Sequence, residues 1–374
     1  MRKRTTFGSV THRQTQIGDG TSLTTLQTED MITLRGAQVL GETVQIATEQ
    51  LHIESVQDTA TYEGKQQSLG GQLTVGVGAS GGANLSRSTI QADYASVIQP
   101  SGVYAGDGGY QIVVNDHTEL IGGLVTSTAQ AEEQGKNHLI TGTLMASDLV
   151  NRAGHDGSSL GINVTADIQG GWQGQTRSDE GKTTHTLGGG MGYGNDRERQ
   201  ERTTASGINT KNLLITDSDT QLLLTGLRPD AMAERVCTTT TTETATADSG
   251  ALANRFDADA VQRELDGQVA VSQDFSQNVQ TAKNELNKAI DKLEAQYHEG
   301  QLPLADYIAK RQRIENTADL LSALAAGLAA PTDRVSGIVA ASVSPSVAQA
   351  IGQYVKAQQG MGGEGSAAHL LAHG

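Results

Sequence analysis

Two stretches of this chain repeat each other a little over a hundred residues apart, and that constrains the fold more than any single motif. Gly36-Ala37-Gln38-Val39-Leu40-Gly41-Glu42-Thr43-Val44 aligns with Gly142-Thr143-Leu144-Met145-Ala146-Ser147-Asp148-Leu149-Val150, an offset of 106. Ser101-Gly102-Val103, leading to Ile112-Val113-Val114, aligns with Ser206-Gly207-Ile208, leading to Leu213-Leu214-Ile215, at 105. Matches at nearly one offset indicate a repeat architecture, in which each unit buries its apolar face against its neighbours. Within the copies, short β-branched runs sit between Gly, Asn, Asp and Ser turns. With 45 glycines, 5 prolines and only 3% aromatic residues, the interior has to be narrow and filled by Val, Ile, Leu, Ala and Thr. The expected fold is mainly β with an α-helical C-terminal part: a right-handed parallel β-solenoid followed by a helical hairpin or small bundle. A β-sandwich array is the alternative. In the solenoid the Gly36–Val150 and Gly142–Gly226 regions supply equivalent rungs, and Val113 and Leu214 take matching positions.

Composition divides the chain. Residues 1–228 hold 34 glycines and residues 251–359 hold 5. The expected organisation is a β-solenoid of two copies over 1–228, a Thr-rich linker over 229–250, a helical segment over 251–359 and a Gly-rich tail over 360–374. Phe275, Val279, Ala282, Leu286, Ala289, Leu293 and Tyr297 follow 4,3 spacing, which makes one apolar helix stripe. Gly300 ends that helix and Pro303 starts a second, with Tyr307, Ile314 and Leu321 facing the first. Ser344-Pro345 opens a third, running to about Gln359. The helical part is expected to be separable from the β part.

Charge and motifs narrow the function. A formal charge of -15 disfavours a phosphate-neutralising surface, so no nucleic-acid partner is expected. The single cysteine, Cys237, closes no intrachain disulfide and completes no thiolate cluster. Arg2-Lys3-Arg4 is not followed by an apolar run, so no signal peptide is read, and no span of about 20 apolar residues occurs. Gly76-Val77-Gly78-Ala79-Ser80-Gly81 fits the dinucleotide spacing but lacks the helix that would receive a pyrophosphate, and reads as turn glycines. His369 and His373 are four residues apart, with Leu370 where a zinc-site glutamate would stand and no third ligand. Glu132-Glu133, Asp179-Glu180 and Asp217-Asp219 read as solvated loop carboxylates. No catalytic residue, metal ligand or cofactor site is assigned, and the chain is read as no enzyme.

The segments Ser101–Val114, Thr118–Gly123 and Asn137–Leu144 resemble the haemagglutinin repeat of two-partner-secreted exoproteins, the filamentous haemagglutinins and CdiA-type contact-dependent growth inhibition proteins. Val261–Leu265, Ser272–Ser276, Ala330–Asp333, Ser344-Pro345, Ile351–Tyr354 and Gly365–His373 are similar, in order, to the pre-toxin segment of the same proteins. The resemblance implies a secreted or cell-surface stalk and delivery segment lying before a toxin. The partners it implies are an outer-membrane two-partner transporter, a target-cell surface receptor and an immunity protein for the toxin. Neither the family's secretion domain nor its toxin is found in the sequence. An adhesin segment, or the remnant of a disrupted exoprotein gene, are the competing readings.

Overall fold

The computed structural model describes residues 1–75, 79–169 and 184–328. The chain opens with β1 (Arg2–Val10), three short strands β2 (Thr15–Ile17), β3 (Leu23–Gln27) and β4 (Met31–Arg35), and the long strand β5 (Ala37–Glu54). A hairpin follows, β6 (Asp58–Val75) and β7 (Ala79–Ser96), then β8 (Gly102–Ile121), β9 (Leu124–Thr126), the short helix α1 (Ala129–Glu133) and β10 (His138–Ser147). A second, longer hairpin, β11 (Leu149–Gln169) and β12 (Thr184–Thr204), precedes β13 (Gly207–Ile208), β14 (Leu213–Ile215) and helices α2 (Ser218–Thr225) and α3 (Pro229–Val236). Two long helices, α4 (Ala258–His298) and α5 (Leu304–Leu328), complete the described chain.

These strands form two sheets of opposite character. In the nine-stranded sheet every pairing is parallel. Strands β2, β3 and β4 pair with successive thirds of β5, and β5 pairs with β8 across register shifts at Gly41/Thr43 and Thr48/Gln50. Alternation puts Val39, Val44, Ile46, Leu51 and Ile53 inside, stacked on Val103, Tyr110, Ile112 and Leu120. Val113 and Leu214 both align on Ile140, so these two stand on one ladder as the repeat requires. Gly36 and Gly142 do not correspond: the first precedes β5, while the second lies in the register break inside β10.

A parallel solenoid over all of 1–228 is not what forms. Strands β1, β6, β7, β11 and β12 make a second, wholly antiparallel sheet in that order. The reason is in the residues. The two hairpins are long runs of Gly, Ser, Thr and charged residues with too few apolar side chains to line an interior, so they leave the parallel stack and pair as arms. Their roots are tied by the buried Asn151. Its Oδ1 accepts from the Val97 N–H at 2.9 Å, and its Nδ2 donates to Thr204 Oγ1 at 2.8 Å and to the Gly250 carbonyl at 2.9 Å.

The C-terminal end of the stack is covered. Met232 and Val236 of α3 join the core, and residues expected as a linker lie against this end, with Ala245 packed on Tyr104 and Leu124. Where α2 replaces a further strand, the buried Gln221 takes over its hydrogen bonds. Its Oε1 accepts from the Leu144 N–H at 2.7 Å and its Nε2 donates to the Leu144 carbonyl at 3.0 Å, as a neighbouring backbone would.

The helical hairpin packs as its stripe predicts, with Val279, Ala282 and Leu286 against Ile314 and Leu321. Gly300, at φ 71°, ends α4, and Tyr297 stacks on Tyr307 across the turn at 4.9 Å. The helical part does not stand clear of the β part: the first third of α4 lies on the antiparallel sheet, where Val261 and Leu265 are buried against Ile90. The expected third helix and the Gly-rich tail fall outside the described residues. Among those residues no helix is long and apolar enough to cross a membrane.

Candidate functional site: the seam between the arm sheet and the long helix

The helix α4 begins at an Asp257 cap, whose Oδ1 accepts from the Asp259 and Ala260 amides at 2.9 and 3.1 Å. It then crosses β7, β11 and β12. What lets it lie so close is a track of glycines on one sheet face. Gly190, Gly192 and Gly194 alternate along β12, and Gly157 and Gly161 share their face on β11. A Cβ on Gly192 would stand 3.0 Å from the Val269 carbonyl carbon and 2.9 Å from Gln273 Cγ, and one on Gly194 2.7 Å from the Leu265 carbonyl oxygen. Any side chain here would lift the helix off the sheet.

A side chain of α4 meets the outer edge of β12. Gln268, buried, accepts from the Asn195 N–H at 2.8 Å, while the Ser272 hydroxyl donates to the Gln268 carbonyl within the helix at 2.7 Å. Gln268 therefore does for β12 part of what Gln221 does for β10, occupying backbone groups that would otherwise recruit another strand.

At the N-terminal end of the seam lies a half-open cleft of about 690 Å³, with Phe7, Tyr62, Tyr94, His155, Asp196 and Phe256 in its walls. Phe256 rests against Tyr62 at 5.1 Å and His155 at 5.9 Å between ring centres. His155 Nε2 is 3.3 Å from Asp196 Oδ2, without the alignment of a hydrogen bond. Tyr94 donates its hydroxyl to the Leu252 carbonyl at 2.9 Å, and burial pushes that hydroxyl's pKa up. These contacts fasten residues 252–256, the approach to α4, onto the sheet. They assemble no nucleophile with a base.

The residues singled out in the sequence are scattered. Glu132 bridges Asn137 Nδ2 at 3.0 Å and the Lys211 amide at 3.1 Å, a structural role. Asp217 caps α2, accepting from the Thr220 amide at 3.0 Å and hydroxyl at 2.7 Å, bonds that hold its carboxyl below the usual carboxylate range. Cys237 is exposed beside the end of the parallel stack. Ala79, Ser80 and Gly81 lie in β7, while Gly76 to Gly78, Asp179-Glu180, His369 and His373 fall outside the described residues. Among the described residues no three of His, Cys, Asp and Glu are grouped to hold a metal. The seam was missed, although Gly-x-Gly-x-Gly from 190 to 194 is a visible signal: in a strand it gives a whole face without side chains.

Comparison with known proteins fixes the setting. A sequence model of the haemagglutinin repeat matches residues 2–71. The chain is 35% identical over 196 residues to a toxin CdiA of Escherichia coli and 34% identical over 207 residues to a 16S rRNA endonuclease CdiA of Enterobacter cloacae. These likenesses support a fragment of the CdiA and filamentous haemagglutinin type. A deoxyribonuclease CdiA of Yersinia pseudotuberculosis is 39% identical over 161 residues. These three alignments cover 50%, 54% and 38% of the haemagglutinin-type chain, but only 6%, 6% and 15% of the relatives. No solved structure matches it. Proteins of this type are secreted or stand at the cell surface in the setting of two-partner secretion, and the haemagglutinin-repeat part is a stalk segment of a large exoprotein.

Proposed function

We propose that this chain is a non-catalytic length of stalk joined to a delivery segment that, in the whole exoprotein, adjoins a toxin. Its parallel strands wind as a solenoid that supplies length, and the arm sheet beside them anchors α4 and α5. The observation that carries the reading is the glycine-lined seam, which fixes a long helix to a repetitive β scaffold. The nuclease activities in the relatives' names belong to those proteins and not to this segment. The proposed partners are an outer-membrane transporter, a receptor on the target cell and, for the toxin, an immunity protein.

The test is a chimaera in which residues 1–328 replace the matching stretch of the Escherichia coli relative. Surface display and inhibition of target cells should both persist, and removing 258–328 should abolish inhibition while display continues. Inhibition that survives the removal would assign delivery elsewhere and favour a purely adhesive stalk. The chain alone, produced in the cytoplasm, should leave growth equal to an empty-vector control. Growth arrest, or cleavage of rRNA, tRNA or DNA by the purified chain, would overturn the non-catalytic reading.

A further inference from the structure

The approach to α4 is pinned to the arm sheet at two points of unequal strength. The first is the buried Leu252, whose N–H donates to Ser96 Oγ at 2.9 Å and whose carbonyl accepts from the Tyr94 hydroxyl at 2.9 Å. The second is the Phe256 ring. Residues 253–255 between them are exposed, and the Phe256 amide turns back to Asn254 Oδ1 at 3.3 Å instead of reaching a strand. The ring rests on Tyr62 on one side and His155 on the other. The His155 side chain is only 12% exposed, and its Nε2 is buried without a hydrogen-bond partner, 3.3 Å from Asp196 Oδ2. A neutral imidazole leaves that buried atom unpaired, which weakens the support under Phe256.

We propose that His155 is a proton-operated latch: charged, it holds Phe256 and the start of α4 on the arm sheet, and neutral, it lets them lift. In the charged ring a small turn aligns the Nε2 proton on Asp196 Oδ2, and a charge-assisted bond of this kind is about twice as strong as a neutral one. A positive ring within about 6 Å of the Phe256 centroid also attracts that aromatic face. The surroundings favour the cation. Register sets Glu198 of β12 directly opposite His155, and Asp196 two residues along on the same face. Asp257 at the cap of α4 and Glu264 within it add two carboxylates to the cleft walls, where Arg255 is the one permanent cation among the described residues. Tyr62 of β6 and Tyr94 of β7 bring phenols, a type that titrates far above the histidine range. Asp93, Arg152, Asp156, Arg197 and Arg199 stand on the opposite face, where Asp93 pairs with Arg152 and Asp156 with Arg197. Histidine changes charge between about pH 5 and 8, so the latch holds in acid and loosens near neutrality.

Hydrogen exchange of the full chain at about pH 5.5 and about pH 7.5, corrected for the intrinsic rate at each, reads the latch through the amides of 256–265. Their protection should be about 10-fold greater at the lower pH, while the amides of 279–286, held by α5, should not differ. His155→Gln keeps a polar side chain that takes no charge, and should give equal protection at both pH values. Asp196→Asn keeps the shape of the acceptor without its charge, and should shrink the difference to about 2-fold or less. Equal protection in the wild type overturns the proposal, as does greater protection at the higher pH. A difference that persists in His155→Gln also overturns it and moves the pH dependence to Glu198 or Glu264.

Discussion

Adding one methyl group at Gly192 should detach α4 locally from the arm sheet. The Cβ of Gly192→Ala would lie 3.0 Å from the Val269 carbonyl carbon and 2.9 Å from Gln273 Cγ, with the carbonyl oxygen closer than either. Ordinary contact needs about 3.5–4.0 Å, and the obstacle is backbone, so the helix has to rise by about an ångström. Overpacking of this sort costs about 1–3 kcal/mol. The rise also stretches the bond of 2.8 Å between the Asn195 amide and Gln268 beyond reach, for about another 1 kcal/mol. Val269 and Leu265 are partly uncovered as well, so the seam should weaken by about 3–4 kcal/mol in total. Hydrogen exchange reads this directly: protection of the amides in 261–273 and of the Asn195 amide should fall by roughly 100-fold or more, while the parallel stack is unaffected. Gly267→Ala is the control, since a Cβ there meets nothing within 4 Å. It should stabilise α4 by about 0.5–1 kcal/mol. Unchanged protection in Gly192→Ala would show that the helix does not rest on a glycine track.

Three further outcomes follow from other parts of the molecule. Gln221→Leu leaves the Leu144 N–H and carbonyl without their partner, and a lower urea midpoint should report a loss of about 2–4 kcal/mol. Leu286→Ala opens a cavity between α4 and α5 and should cost about 2–5 kcal/mol, seen as earlier melting of the helical hairpin. The carboxyl of Asp217 has its pKa lowered in the folded state, so its contribution is present above the ordinary carboxylate value of 3.8 and is lost as pH falls through the folded one. Asp217→Asn should therefore flatten the acid limb of the stability profile, as measured by thermal melts at stepped pH.

What could be read in the sequence were patterns that one element satisfies alone or with a copy of itself. The heptad-like stripe from Phe275 to Tyr297 gave the α4–α5 packing because the spacing and its partner stripe are both local. The ladder through Val113, Ile140 and Leu214 was legible from one repeat match, since stacked strands reuse the same inward and outward positions. The arms were not. An 18-residue run such as Asp58–Val75 alternates no more clearly than a solenoid rung, and only its shortage of inward apolar residues distinguishes it. The match of Gly36 with Gly142 misled for a related reason: a glycine followed by a β-branched run occurs wherever a strand bends, inside a rung as well as before it. Gln221 and Gln268 carried no local signal, because their roles depend on backbone groups 77 and 73 residues away.

Those two glutamines also give the molecule a direction. A strand edge with free N–H and carbonyl groups accepts further strands unless something occupies it. Gln221 and α3 close the parallel stack at one end, and Gln268 occupies the Asn195 N–H of β12 at the matching edge of the arm sheet. At the opposite end β2, β3 and β4 pair on one side only among the described residues, with Ile17, Leu26 and Ile32 half-buried where a continued core would bury them. The free edge of β1 lies on that same side, next to β6. Its Arg2, Lys3 and Arg4 place charge where an unselective strand would approach, whereas the edge of β2 to β4 carries Ile17, Leu23 and Met31, and its one charged side chain, Arg35, is paired with Glu54. Strand addition is thus open at one end of the parallel sheet, guarded by charge at the matching edge of the arm sheet, and hindered at the far side, where the helices are held.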